Sequence, residues 1–262
     1  MASTEQEVQK RELVIFYVLD TSGSMNDDGK IGVLNEAMRE TTEVLADVAR
    51  SNESAEMKIA IMAFNSGAKW VTMESGPEYL KDFIWDDLKA GGLTDLGEAL
   101  KELNRKLSKK EFLRSDTGQF VPVIIFMSDG YPTDNWEKAL EELNASNKFF
   151  AKSTKIAFAM GEEADKKVLS KVTGNSEAVL QTNDMEVFRH MIRFVSVTSS
   201  LINSSTTSAI KKTDPAEIIR KGMEEEQKNF NRTAEEPEVL SETSEEKSGS
   251  IWDEKIDDDW GE

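Results

Sequence analysis

Three short polar segments of this sequence carry side chains suited to a hard divalent cation. The first places Asp20, Ser22 and Ser24 at alternate positions directly after an apolar run. The second segment contributes Thr94, and the third contributes Asp129 at the end of another apolar run. Carboxylate and hydroxyl oxygens are ligands that Mg²⁺ and Mn²⁺ accept readily in proteins. Oxygen groups of this kind therefore make the three segments candidates for contact with a hard cation.

The elements that must position these residues alternate between strand and helix. Apolar runs predict strands over 13–19, 57–64, 68–73, 120–127, 155–160 and 178–181, and helical spacing predicts helices over 31–50, 96–107, 135–151, 164–172 and 184–202. The polar turn at 65–67 predicts a hairpin, so the third strand is expected to be an antiparallel edge. Thr94 or Asp95 is expected to cap the helix over 96–107, and Asp134 to be a cap or a solvated loop residue. The segment 79–88 fits either a short helix or irregular structure.

Strands separated by helices predict an α/β fold with a doubly wound, mainly parallel sheet and one antiparallel edge strand. In such sheets, ligands bind beyond the carboxyl ends of the strands. Asp20 and Asp129 both follow predicted strands. The candidate ligands are therefore expected to meet at that edge of the sheet.

Composition divides the chain into a domain and an acidic tail. We expect a flexible N-terminus over 1–10, one domain over 11–202 and a mostly disordered tail over 203–262. The tail holds 17 Asp and Glu against 8 Lys and Arg, which is half of the formal net charge of −18. A segment with so much charge and no apolar period cannot bury enough surface to fold by itself.

Charge and residue content exclude several classes of function. A net charge of −18 argues against binding to nucleic-acid phosphates. The chain has no cysteine, so disulfides, thiolate metal sites and a cysteine nucleophile are excluded. The charged first residues do not resemble a signal peptide, and no apolar run is long enough to span a membrane. We therefore expect a cytoplasmic protein.

The three polar segments resemble the metal-ion-dependent adhesion site of von Willebrand factor A (vWA) domains, which have a Rossmann-like fold. That site combines Asp-x-Ser-x-Ser with a Thr in a second loop and an Asp in a third, and the resemblance extends over residues 10–202. It implies that Ser22, Ser24 and Thr94 bind Mg²⁺ or Mn²⁺ directly, and that Asp20 and Asp129 bind directly or through water. It also implies that an acidic residue of a partner protein completes the coordination.

The sequences of residues 91–100 and 126–134 are similar to those of the bacterial TerY branch of this family. TerY-type proteins are associated with tellurite-resistance and stress operons that encode a protein kinase and a serine/threonine phosphatase. The resemblance thus implies a signalling or stress-response role as a non-enzymatic binding module.

Other functions remain open at this stage. A vWA domain also serves as the adaptor subunit of ring ATPases. A Mg²⁺-dependent phosphohydrolase of the haloacid-dehalogenase type would need a second Asp two positions after Asp20, where this chain has Ser22. The only histidine, His190, is far along the chain from the polar segments, so a histidine-based catalytic site is not expected.

Two sets of residues are candidates for contact with a partner. Met25, Tyr131 and Pro132 flank the polar segments and either surround a binding surface or pack the loops. Trp252 and Trp260 lie in the acidic tail, where exposed aromatic residues with flanking charge are typical of docking peptides. The alternative is that the tail folds back onto its own domain.

Overall fold

A seven-stranded sheet organises the part of the chain that the computed structural model describes, which is residues 9–181, 185–204 and 221–222. The strands are Arg11–Asp20 (β1), Ala55–Asn65 (β2), Gly67–Trp70 (β3), Glu78–Tyr79 (β4), Val123–Ser128 (β5), Thr154–Ala159 (β6) and Val179–Gln181 (β7). Their order is β3-β2-β1-β5-β6-β7, and the short β4 also pairs with β2. Only β3 and β4 are antiparallel to their neighbour. The predicted mainly parallel sheet with an antiparallel edge is confirmed.

Helices cover both faces of this sheet, as the alternating pattern predicts. They are Lys30–Ser51 (α1), Leu96–Lys106 (α2), Trp136–Ser146 (α3), Lys148–Lys152 (α4), Lys166–Thr173 (α5) and Met185–Ser204 (α6). One hydrophobic core lies between the sheet and the pair α1 and α6, and a second lies between the sheet and α2, α3 and α5. The domain is therefore the doubly wound α/β fold.

The central strand β1 is buried from Leu13 to Asp20 because neighbouring strands and helices cover it on every side. Its alternate side chains enter different cores, so Tyr17 faces α6 while Phe16 packs in the other core. The buried hydroxyl of Tyr17 donates a hydrogen bond to Ser196 Oγ at 2.8 Å, which satisfies its polar atom. A run of apolar residues with no polar alternation is the sequence signature of such a strand.

Strand register aligns the carboxyl ends of the three central strands. Asp20 pairs with Phe64 of β2, and Leu19 pairs with Met127 of β5. Asp20 therefore lies beside Ser128, the last residue of β5. The loops after β1 and β5 begin at the same level of the sheet, as a shared binding edge requires.

Two predicted elements differ from the observed ones for local reasons, and the structure also decides the segment that the sequence left open. The strand expected from residue 120 begins at Val123, because Pro122 has no N–H to contribute to the ladder. The helix expected over 135–151 is divided at Asn147, whose extended backbone ends α3 and whose side-chain oxygen caps α4 at the Phe149 and Phe150 amides. The undecided segment 79–88 contains the end of β4, a 3₁₀ turn at Leu80–Asp82 and irregular structure.

The two ends of the chain fall mostly outside the described residues. These include residues 1–8 of the predicted flexible N-terminus, and in the tail over 203–262 only residues 203–204 and 221–222 are described. The predictions of flexibility and disorder therefore stay predictions. In the part of the chain that the structure describes, no helix combines the length and apolarity needed to cross a membrane.

The N-terminus of α2 is capped from a distant loop. Asp95 occupies the cap position, but its side chain makes no capping hydrogen bond, and it instead accepts from the Gly67 amide at 2.9 Å. The Asp134 carboxylate accepts from the amides of Gly97 and Glu98 at 2.9 and 3.1 Å. Asp95 is thus the N-cap residue, one of the two that the sequence predicted, but it caps by position and not through its side chain. Asp134 caps the helix through its side chain, and it binds the loop after β5 to α2.

We expect Asp134→Ala to destabilise the protein by about 1 kcal/mol, the usual cost of losing a helix cap. The reason is that two amides at the positive end of α2 lose their acceptor. Urea unfolding in EDTA measures the effect without interference from metal ions. Asp116→Ala, at an exposed loop residue, is the control. Equal stability of the two variants would contradict the assignment.

Candidate metal centre

Three loops meet at the carboxyl edge of the sheet: loop 1 (residues 20–29), loop 2 (residues 91–95) and loop 3 (residues 128–134). Loops 1 and 2 are joined through their backbones. The Gly23 amide donates to Gly92 O at 3.0 Å, and the Gly91 amide donates to Thr21 O at 2.8 Å. These bonds hold the serine-bearing loop against the threonine-bearing loop.

Glycines allow this close approach. A Cβ at Gly23 would lie 3.2 Å from Gly92 O. Gly92 has a φ of +84°, and a Cβ there would lie 2.7 Å from Ser66 Oγ. A larger residue at position 92 would strain the backbone and press against Ser66 in the turn between β2 and β3.

Loop 3 is bonded to both of the others. The Thr133 amide donates to Thr94 O at 2.8 Å, and the Thr94 amide donates to Thr133 Oγ1 at 3.1 Å. Ser128 Oγ donates to Asp20 Oδ2 at 2.6 Å. The three segments that carry the five predicted ligands therefore converge at one edge of the sheet.

Asp20 is a buried carboxylate held by its neighbours. Its Oδ1 accepts from the Ser22 amide at 2.8 Å, and its Oδ2 accepts from Ser128 Oγ. Burial raises the pKa of Asp20; the hydrogen bonds from Ser128 and Ser22 oppose that rise, and the nearby charge of Asp129 adds to it. An ionised Asp20 is thus costly unless a cation compensates it.

Asp129 is also buried, and its two carboxylate oxygens differ in their hydrogen bonding. Oδ2 accepts from Lys30 Nζ at 3.1 Å, and the Lys30 side chain is only 12% exposed. Oδ1 is buried without a hydrogen-bond partner among the described residues. A buried carboxylate oxygen that lacks a donor is under-satisfied, and a cation or an ordered water would supply what it lacks.

Hydroxyls supply the remaining ligands. Ser22 Oγ and Ser24 Oγ lie 3.1 Å apart, with Ser22 buried and Ser24 partly exposed toward the edge. Thr94 is also buried. No group of three carboxylate, imidazole or thiol side chains able to hold a metal occurs in the described ranges, so a cation here would depend on these hydroxyls. The mixed set of hydroxyl and carboxylate oxygens fits Mg²⁺ or Mn²⁺.

The predicted partner contacts separate into two groups. Met25 is completely buried in the core beside α1 and α6, so the prediction that it contacts a partner is wrong, and it packs loop 1. Tyr131 is 50% exposed and donates to Glu163 O, and Pro132 is half-buried beside it. Trp252 and Trp260 lie outside the described residues.

Sequence reasoning missed Lys30. It is the first residue of α1, where a positive charge is disfavoured by the helix dipole. A lysine at such a position needs a compensating acid, which is the signal that could have identified its contact with Asp129. Ser128 and Thr133, which join the loops, carried no comparable signal, because hydroxyl residues are common in any turn.

This fold and this edge define a class of protein. Residues 15–132 match the family model described as von Willebrand factor type A domain, and this range contains all five predicted ligands. Over this range, which is 118 of the 262 residues, the chain is similar to vWA domains. No curated protein matches the sequence.

Solved structures with the same fold are distant in sequence. A von Willebrand factor type A protein from Catenulispora acidiphila is 17% identical, with a TM-score of 0.52, over 72% of this chain and 43% of that one. The ArnB paralogue from Sulfolobus acidocaldarius is 18% identical, with a TM-score of 0.52, over 70% and 45%. Proximal thread matrix protein 1 from the mussel byssus, described with a zinc-occupied metal-ion-dependent adhesion site, is 17% identical, with a TM-score of 0.52, over 72% and 48%. The chain thus spans less than half the length of these structures, and the likeness shows the fold alone.

The raised pKa of Asp20 predicts a stability that falls as pH rises. Between the ordinary aspartate pKa of about 4 and the raised value, the folded protein binds more protons at this site than the unfolded chain does. Ionisation in this window therefore costs folding stability, and the full cost is present above the raised pKa. Asp20→Asn removes the charge but keeps groups able to bond Ser22 and Ser128.

We expect Asp20→Asn to be more thermostable than the wild type at pH 7 in EDTA by a few degrees. The advantage should shrink as the pH falls toward 4. Thermal unfolding between pH 4 and 8 measures it, with Asp116→Asn as an exposed control. A variant less stable than the wild type at every pH would rule out a charge cost at Asp20.

Proposed function

We propose that this chain is a non-enzymatic binding module that holds Mg²⁺ or Mn²⁺ at the edge formed by loops 1, 2 and 3 and uses it to bind an acidic residue of a partner protein. The observation that carries the proposal is the unpartnered, buried Oδ1 of Asp129 beside two loops that present hydroxyls. When bound, the cation supplies an electrophilic position for a carboxylate oxygen.

The residues at this edge are proposed to have different roles. Ser22, Ser24 and Thr94 would hold the cation through neutral oxygens, and Asp20 and Asp129 would hold it directly or through water. Asp20 also fixes loop 1 by accepting the Ser22 amide, and Ser128 orients that carboxylate. Tyr131 and Pro132 are proposed to contact the partner, because they are exposed or half-buried on loop 3.

Charge balance explains why an acidic partner would be favoured. Together, the three charged groups Asp20, Asp129 and Lys30 carry a net charge of −1 in their ionised forms. A divalent cation changes this to +1, so a partner carboxylate would restore neutrality. Lys30 thus favours an anionic ligand after the cation is bound, and it opposes the binding of the cation itself.

The biological setting rests on the resemblance to the TerY branch. We propose a cytoplasmic role in a bacterial stress or signalling system, with a protein kinase and a serine/threonine phosphatase as candidate partners. The absence of catalytic function is part of the proposal. It is supported by the position of the only histidine, His190, which is exposed on α6 and whose Nδ1 lies 3.1 Å from Arg193 Nη2.

The double variant Ser22→Ala/Ser24→Ala tests the metal centre. We expect Mn²⁺ affinity, measured by calorimetry on the full chain, to fall about a hundredfold or more, because even partners outside the ligand shell contribute about 10–100-fold. Ser115→Ala/Thr117→Ala is a matched control, because these hydroxyls also lie two residues apart and contact each other at 3.3 Å, but at the opposite end of β5.

The same variants test partner binding. The wild type, immobilised in Mg²⁺ and exposed to lysate of the source cell, should retain a protein that is lost in EDTA and with the serine double variant. The control variant should retain it. Retention in every lane would show that the interaction does not require the metal. Metal binding without any retained protein would contradict the partner role.

Lys30→Met tests the charge balance. We expect it to raise Mn²⁺ affinity on the order of tenfold, equivalent to about 1.4 kcal/mol, because a nearby positive charge is removed while the apolar stem is kept. Lys138→Met, at an exposed position of α3, is the control. Unchanged or weaker binding would show that Lys30 does not oppose the cation.

A further inference from the structure

The end of the sheet opposite the candidate metal centre carries a pocket of about 430 Å³, which we call the amino-edge pocket. It is formed by the segment that leads from α2 into β5 and by α4. Its apolar surface comes from Leu113, Phe120, Val121 and Phe149, and Val121 is 41% exposed. Such a surface favours an aromatic or aliphatic side chain as its occupant.

Cations surround this apolar surface. Lys109, Arg114 and Lys152 are exposed members of the lining, which contains no Asp or Glu. Within the described ranges none of the three forms an ion pair. Arg11 lies over the Phe120 ring at 4.2 Å and adds a fourth positive charge nearby. In a chain with a net charge of −18, this concentration of unpaired cations stands out.

An unsatisfied donor also belongs to the pocket. Gln119 Nε2 is buried and has no hydrogen-bond partner among the described residues. It would be satisfied by a carbonyl or carboxylate oxygen of an occupant. The pocket therefore fits a peptide that combines apolar side chains with several carboxylates.

Helix α6 runs toward this same end of the sheet. Helix α6 starts after the carboxyl end of β7 and packs along α1, with Arg189 paired to Glu36 near the start of α1. From there it runs toward the amino end of the sheet and passes Tyr17 at Ser196. Ser204, the last described residue of α6, lies further along in that direction.

We propose that residues 251–260 of this chain, Ile-Trp-Asp-Glu-Lys-Ile-Asp-Asp-Asp-Trp, dock in the amino-edge pocket of the same molecule. The segment offers two tryptophans and two isoleucines for the apolar surface, and five carboxylates against one lysine for the cations. Residues 205–250 connect it to α6, and 46 residues can extend to more than about 140 Å, far beyond the dimensions of the domain.

Tethering favours this occupant over a separate peptide. A segment linked to its site by a chain of this length has an effective concentration near the millimolar range, so even a weak contact would be populated. Docking there also keeps the tail carboxylates at the end of the domain opposite the metal centre. They then do not compete with a partner for the cation that we propose.

The test uses the full chain labelled with 5-fluorotryptophan, in EDTA, observed by ¹⁹F NMR. Five resonances are expected, for Trp70, Trp85, Trp136, Trp252 and Trp260, and single Trp→Phe variants assign them. A synthetic peptide of residues 248–262 supplies the positions of the undocked tail residues. We expect the Trp252 and Trp260 resonances of the full chain to lie away from those positions.

Charge reversal locates the site. In Lys109→Glu/Arg114→Glu/Lys152→Glu both tail resonances should move to the peptide positions, while those of Trp70, Trp85 and Trp136 stay unchanged and report an intact fold. Lys138→Glu/Lys166→Glu/Lys167→Glu makes the same change in net charge at exposed positions outside the pocket lining and should leave the tail resonances displaced.

Three results would overturn the proposal. Tail resonances at the peptide positions in the wild type would show that the segment does not dock. Displaced resonances that respond equally to the pocket and control variants would place the contact elsewhere. Displacement that disappears on tenfold dilution would assign the pocket to the tail of a second copy, since an intramolecular contact does not depend on concentration.

Discussion

The parallel pairing of β1 with both β2 and β5 is the constraint on which the rest of the domain depends. It buries β1 from Leu13 to its end and places Asp20 beside Ser128. Without this register, loops 1 and 3 would begin at different levels, and the bond from Ser128 to Asp20 could not form. The two hydrophobic cores secure the register, because slipping by one residue would exchange the side chains that face them.

This arrangement brings two buried carboxylates to one edge of the sheet, which is unfavourable for folding. Lys30 offsets part of the cost by pairing with Asp129, while burial raises the pKa of Asp20. Among the described residues Asp129 Oδ1 has no hydrogen-bond partner, so within them the compensation is incomplete. Strained or under-satisfied polar groups of this kind persist where function requires them. The edge is thus stable enough to fold and still has capacity for a cation.

The elements that could be predicted from sequence are those determined by local pattern. The alternation of strands and helices was sufficient to predict a mainly parallel sheet, and the Asn65-Ser66-Gly67 turn was sufficient to predict its antiparallel edge. The convergence of the three polar loops followed from the fold class, but individual side-chain contacts between residues distant in sequence were not predicted. Asp134 caps α2 at amides that lie 36 and 37 positions earlier in the sequence. Lys30 contacts Asp129, which lies 99 positions later. Met25 was misassigned because an apolar loop residue looks the same in a sequence whether it is packed or exposed.

The charged groups at the two candidate binding surfaces are of opposite sign, although the chain as a whole is acidic. The carboxyl edge gathers Asp20 and Asp129, with one lysine between the loops. The amino edge gathers Lys109, Arg114 and Lys152 without an acid in the pocket lining. In the docking that we propose, the acidic tail would lie against this basic surface, away from the carboxylates of the other edge. Charge would then separate the two proposed binding surfaces, with the tail held at one end of the domain and an acidic partner bound at the other.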